Sequence, residues 1–169
     1  IFDVFTAATG AKVKVVTGGD SGVLISKAIL TAGTPEGDVL WGLDNTLLSR
    51  AQKAELLTSY EPVDTGDICV NYDKQWFASR NIAPPTSLED LVLPTYKNLL
   101  AVQDPVASSP GLGFLLGTIA HFGVDDWQNY WKSLKENGVH VSPDWTSAYT
   151  IDFSGSSGNG KYPLVVRYG

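Results

Sequence analysis

Two carboxylates, two adjacent serines and three aromatic side chains stand in this chain where polar chemistry can be presented to a small molecule. Asp20 lies in Gly18-Gly19-Asp20-Ser21, and Asp44 lies in Gly42-Leu43-Asp44-Asn45. Ser108 and Ser109 begin the run that continues Pro110-Gly111-Leu112-Gly113. Trp145 and Tyr149 are four residues apart, and Tyr168 follows Arg167 near the end of the chain. The carboxylates suit a cationic or amino-bearing ligand. Serines followed by Pro and two glycines suit a helix N-terminus, where free backbone N–H groups and hydroxyls take an anion or a polar group. Trp and Tyr offer faces on which a flat or cationic ring can stack. Turn and cap chemistry alone accounts for Gly18-Gly19-Asp20-Ser21, for one of Asp44 and Asn45, and for one serine of the pair. It leaves the second polar residue of each pair unexplained.

Catalytic and metal chemistry finds little support. His121 falls in an apolar helical run and His140 in a strand-like one, and neither has partners at zinc-ligand spacing, so both read as structural. The chain lacks a Gly-x-Ser-x-Gly elbow, a Gly-x-Gly-x-x-Gly loop and a P-loop lysine. No metal, cofactor or catalytic residue is expected. Cys69, the only cysteine, sits in an apolar run and reads as a buried thiol with no internal disulfide partner.

The residues before and after these motifs read as alternating helices and strands. Helices are expected over residues 1–9, 21–32 and from Asp44 or Asn45 to Leu57. Strands are expected at Lys12–Thr17 and Asp38–Trp41, giving the order αβαβα. Asp67–Tyr72 is a further strand, with Asn71-Tyr72-Asp73-Lys74 as the turn out of it. Thr86-Ser87-Leu88-Glu89 fits a capping box with Thr86 as cap, opening a short helix that stops before Pro94. Asn98–Gln103, Val139–Val141 and Pro163–Tyr168 are the remaining strands. A helix from Ser109-Pro110 to Phe122-Gly123 is followed by another from Asp125 or Asp126 to Asn137-Gly138, with Trp127, Trp131 and Leu134 on one face. The Gly/Ser run 154–160 reads as a loop. The pattern argues an α/β fold with a mostly parallel sheet, in two lobes: residues 1–61 as a partial first lobe and 62–169 as the second. Open sheets of this kind bind ligands beyond the carboxyl ends of their strands.

The chain has 169 residues, a mean hydropathy of -0.01 and a formal net charge of -6 from 12 Lys+Arg and 18 Asp+Glu. With no basic stripe, it is not expected to bind nucleic acid. No apolar run approaches the roughly 20 residues of a membrane-spanning helix.

Taken together, Gly42-Leu43-Asp44-Asn45-Thr46-Leu47-Leu48, the run Pro62 to Asp73, Gln103-Asp104-Pro105 through Gly113, and Trp145-Thr146-Ser147-Ala148-Tyr149 resemble the thiamine-binding proteins of bacterial ABC transporters. These belong to the two-lobed periplasmic solute-binding superfamily. The resemblance runs across nearly the whole chain and implies a cleft between lobes that closes on thiamine or its phosphates and delivers them to an ABC transporter permease. It implies a periplasmic or extracellular place, with a lipid anchor allowed in the full-length protein. It implies that Asp20 and Gly22 lie at the ring or amino end of the ligand with Asp44 beside them. Ser108 and Ser109 would face the hydroxyethyl or phosphate end, and Trp145, Tyr149 and Tyr168 would form an aromatic and hydroxyl wall. Members of the family carry a strand ahead of the position of Ile1 and continue past Tyr168, so an incomplete first lobe is expected, with a partner chain or weak binding as its consequence. Rival readings on the same scaffold are an iron or polyamine binder, a thiamine-processing enzyme using Cys69, and a docking module.

Overall fold

The computed structural model describes residues 2–157 and 159–169. Its sheet has four strands, β1 (Ile68–Tyr72), β2 (Leu100–Gln103), β3 (His140–Ser142) and β4 (Leu164–Tyr168), in the order β1-β4-β2-β3. β2 runs parallel to both β3 and β4, whereas β1 is antiparallel to β4, with Ile68 opposite Tyr168 and Tyr72 opposite Leu164. The helices are α1 (Phe2–Thr9), α2 (Ser21–Leu30), α3 (Asn45–Lys53), α4 (Lys74–Arg80) and α5 (Ser109–Glu136). This is the expected mixed α/β architecture with a mostly parallel sheet.

Side chains alternate across each strand, so the two sheet faces receive different sets. Leu100, Val102, Leu164 and Val166 join Phe114, Tyr130 and Leu134 of α5 in the main core, closed by Phe77, Leu91 and Tyr96. On the other face Ala101 and Val165 meet Ala148 and Phe153. The small side chains there let the wider turn of a π-helix, Ser147–Asp152, lie on the sheet. A separate cluster of Ile25, Leu47 and Ala51 joins α2 to α3, with Leu112 of α5 packed against it.

Both halves of the expected α5 pair are present, and Gly123 separates them. Its φ of 83° and ψ of 166° break the helix at a conformation that side-chain-bearing residues resist. Across the break Trp131 Nε1 donates to Thr118 Oγ1 at 2.8 Å, and Phe122 stacks on Tyr130 with centroids 4.3 Å apart. Leu134 is buried, and Trp127 and Trp131 are half-buried.

Several expectations are corrected. Lys12–Thr17 and Asp38–Trp41 form no strand. Alternation creates a strand only where a neighbour completes its hydrogen bonds, and Val15 (60% exposed), Val39 (82%) and Trp41 (73%) show that no such neighbour covers these segments. Cys69 is exposed, because it points to the face opposite Ile68 and Val70, which pack on the main core. The turn expected at Asn71 to Lys74 opens α4 instead, with Asp73 as its cap. The capping box is displaced by one residue. Asp90 carboxylate accepts from the N–H groups of Thr86 and Ser87, and Ser87 Oγ accepts from Asp90 N–H, while Glu89 pairs with His121 at 2.6 Å. α3 stops at Lys53 rather than Leu57, but Leu56 and Leu57 still pack on the α2–α3 cluster. Within the expected 154–160 loop, Ser154–Ser157 makes one helical turn, and Gly158 lies outside the described residues.

Candidate functional site

Asp44 and Ser109 meet at the hydroxyl of Tyr168, at the carboxyl end of β4. That hydroxyl donates to Asp44 Oδ2 at 3.1 Å. The other Asp44 oxygen caps α3, accepting from Thr46 N–H at 3.1 Å and from Thr46 Oγ1 at 2.7 Å. Capping and a long-range contact therefore share one carboxylate. Burial pushes the Tyr168 phenol up to about 12, and the charge and hydrogen bond of Asp44 act in the same direction. The Ser109 hydroxyl beside it works the other way, and the charge on Asp20 adds to the rise.

Asp20 precedes α2 in the cap position, but its side chain makes no capping bond. Its Oδ2 reaches across to accept the Trp145 backbone N–H at 2.7 Å. Gly22, two residues on, donates its N–H to the Ala107 carbonyl at 3.0 Å. A Cβ at this position would collide with the Val106 carbonyl oxygen, so only glycine allows α2 to approach the 104–108 loop this closely. The structure thus gives Gly22 a packing position, with its N–H already used.

Ser108 and Ser109 open α5. They are 1% and 3% exposed, and neither hydroxyl has a hydrogen-bond partner. A buried hydroxyl without a partner costs about 1–3 kcal/mol, and two such hydroxyls stand together at the N-terminus of α5. Ser109 Oγ is nonetheless close enough to the Tyr168 phenol to influence its titration. We read the pair as near neighbours rather than as a formed hydrogen bond.

Trp145 and Tyr149 stack, with centroids 5.2 Å apart and planes at 21°, and Tyr149 stacks in turn on Phe153 at 5.7 Å. The Asp144 carboxylate holds the start of this segment by accepting the Ser147 N–H at 2.7 Å, which keeps Asp144 below the usual carboxylate range. Asp152 closes its far end, accepting from Ser142 Oγ at 2.7 Å and pairing with His140 at 3.2 Å. Sequence reasoning passed over Asp144 and Asp152 as supports of the stack. The cap position of Asp144 before Trp145 was the available signal. It also passed over Gln103, wholly buried at the end of β2, whose Nε2 donates to the Val166 carbonyl where β2 and β4 part.

Contacts link Asp20 to Trp145, Asp44 and Ser109 to Tyr168, and Gly22 to the loop before Ser108, while Tyr149 packs on the Val165 and Arg167 face of the sheet, opposite that of Tyr168. Cys69 stands apart. It is opposite Arg167 in the β1–β4 register, on the other sheet face from Ile68 and Tyr168. Among the described residues no cluster of His, Cys, Asp or Glu is arranged to hold a metal ion.

A family model described as bacterial extracellular solute-binding protein matches residues 40–169. The chain belongs to this family. Among its solute-binding relatives, a thiamine-binding periplasmic protein of Escherichia coli (strain K12) is 30% identical over 182 aligned positions, which take in 97% of this chain and 53% of that protein. A solved structure named as a periplasmic thiamin binding protein superimposes with a TM-score of 0.79 at 26% identity, covering 99% of this chain and 55% of that one. The periplasmic binding protein AfuA from Actinobacillus pleuropneumoniae shares the fold, with a TM-score of 0.79, 18% identity and coverage of 99% and 58%. The chain spans about half the length of the curated relatives it matches.

Proposed function

We propose that this chain carries the ligand-contacting part of a solute-binding protein that takes thiamine or a thiamine phosphate and passes it to an ABC importer in the periplasm. The observation that carries this reading is the Asp20 carboxylate, which holds Trp145 of the Trp145–Tyr149 stack while its charge reaches the Tyr168 hydroxyl that Asp44 and Ser109 flank. A thiazolium ring is a flat cation, and an aromatic face near carboxylates attracts it in two ways. Ser108 and Ser109, with the N-terminus of α5, suit the hydroxyethyl group or its phosphate. The names of the relatives point to the same ligand. The relatives are named as binding proteins, which supports a binding role.

Thiamine is expected to quench tryptophan fluorescence saturably. Trp145→Ala is expected to weaken binding roughly 3- to 30-fold, the range of a partly desolvated cation–π contact. An unchanged affinity in Trp145→Ala would remove the aromatic wall from this reading.

A further inference from the structure

A concavity of about 400 Å³ lies on the sheet face that carries Arg167, beside the ring of Tyr149. Its polar lining includes Asn71, Asp73, Lys74, Gln75 and Arg167. Asp73 lines it as a charged carboxylate that accepts from the N–H groups of Gln75 and Trp76 and from Ser154 Oγ at 2.6 Å, so Lys74 and Arg167 leave the lining with one net positive charge. The Asn71 amide nitrogen is buried and has no partner. Neither Lys74 nor Arg167 has a carboxylate within ion-pair distance among the described residues. Arg167 is held in place all the same, with its guanidinium 4.5 Å from the Tyr149 ring centroid and Nε donating to the Tyr168 carbonyl at 2.8 Å. A fixed guanidinium, a lysine and an orphaned amide donor around one concavity, in a chain of net charge -6, form a local excess of unsatisfied donors.

We propose that this concavity is an anion site, distinct from the Asp44–Tyr168–Ser109 contacts though it borders the Tyr149 ring, that takes a small organic carboxylate or phosphate with Arg167 and Lys74 supplying the charge and Asn71 a further donor. The planar guanidinium matches either oxyanion in bidentate fashion. The size falls in the ordinary range for small-molecule sites. The Tyr149 ring supplies an apolar wall for the body of the ligand.

The test is a titration of the 15N-labelled chain with inorganic phosphate and, separately, with acetate, each against sodium chloride at equal ionic strength. The expected result is a saturable shift of the Asn71 side-chain amide and Arg167 Nε–H signals with at least one of the two anions, and not with chloride. Whichever anion saturates the site assigns the headgroup. Arg167→Gln and Lys74→Gln are each expected to weaken binding about tenfold or more, as loss of a charge-assisted hydrogen bond does. Lys74 is exposed, so its variant keeps the test open if Arg167→Gln fails to fold. Ser108→Ala/Ser109→Ala is expected to leave these shifts unchanged. Shifts that chloride reproduces, that never saturate, that survive both charge variants, or that vanish in the serine double variant would each overturn the proposal.

Discussion

Tyr168 donates its hydroxyl to Asp44 while it feels the charge on Asp20 and lies beside Ser109, so it joins three of the expected ligand-contacting residues in one local equilibrium. Its folded-state pKa is raised from 10.0 to about 12. The folded chain therefore holds the phenolic proton more tightly than the unfolded chain does, and the resulting stabilisation is fully present below pH 10. It is lost as pH rises from there to about 12. Urea unfolding on either side of that window should show a decline that Tyr168→Phe flattens. At neutral pH the same substitution should cost about 1 kcal/mol, the usual worth of one hydrogen bond. An equally steep alkaline decline in Tyr168→Phe would show that other groups carry it. The candidate residues were legible in the sequence because polar and aromatic types stood in pairs beyond the needs of a turn. Their partners were not legible: Asp20 looked like an ordinary helix cap, and only the tertiary contact reveals that its carboxylate serves the Trp145 N–H instead.

The aromatic stack rests on elements fixed at both ends by carboxylates, and α4 follows the same rule. Asp73 caps α4 and also binds Ser154 of the turn that follows the stack. Burial works to raise the pKa of Asp73, but the hydrogen bonds from Ser154, Trp76 and Gln75, helped by the charge on Arg80, together hold it below 3.8. Stability from this group is thus present above pH 3.8 and is lost as pH falls through the depressed value. Asp73→Ala should lower the unfolding free energy by about 1 kcal/mol near neutral pH, as cap removal does, and the difference from the parent chain should shrink in acid. A difference that stays constant down to low pH would contradict this assignment. Elements with a local signal were readable, such as α5 with Ser109-Pro110 at its start and Gly123 at its break. The α4 helix was hidden because Asp73 reads equally as a turn residue. The strands expected at residues 12–17 and 38–41 failed for a different reason: their alternation is real, but strand identity depends on a neighbour that periodicity cannot supply.

Among the described residues, a small set of contacts links residues 20–57 to the rest of the molecule. These are the Gly22 N–H to Ala107, the Asp20 carboxylate to Trp145, the Tyr168 hydroxyl to Asp44, and Leu112 against the α2–α3 cluster. Gly22→Ala drives a methyl group into the Val106 carbonyl and should pry α2 from the 104–108 loop. Hydrogen exchange should then speed up in α2 and α3 while the β2 and β4 amides keep their protection. Uniform loss of protection would show instead that the molecule unfolds as one unit. The same links bring the proposed ligand contacts of both parts together, so binding is the sharpest test of the account. The deciding measurement is calorimetric titration of the folded chain with thiamine and, in parallel, with thiamine monophosphate. Saturable heat with at least one of them, weakened by Trp145→Ala, is the predicted result; a folded chain that gives no saturable heat with either would contradict the claim that these strand ends form a thiamine site.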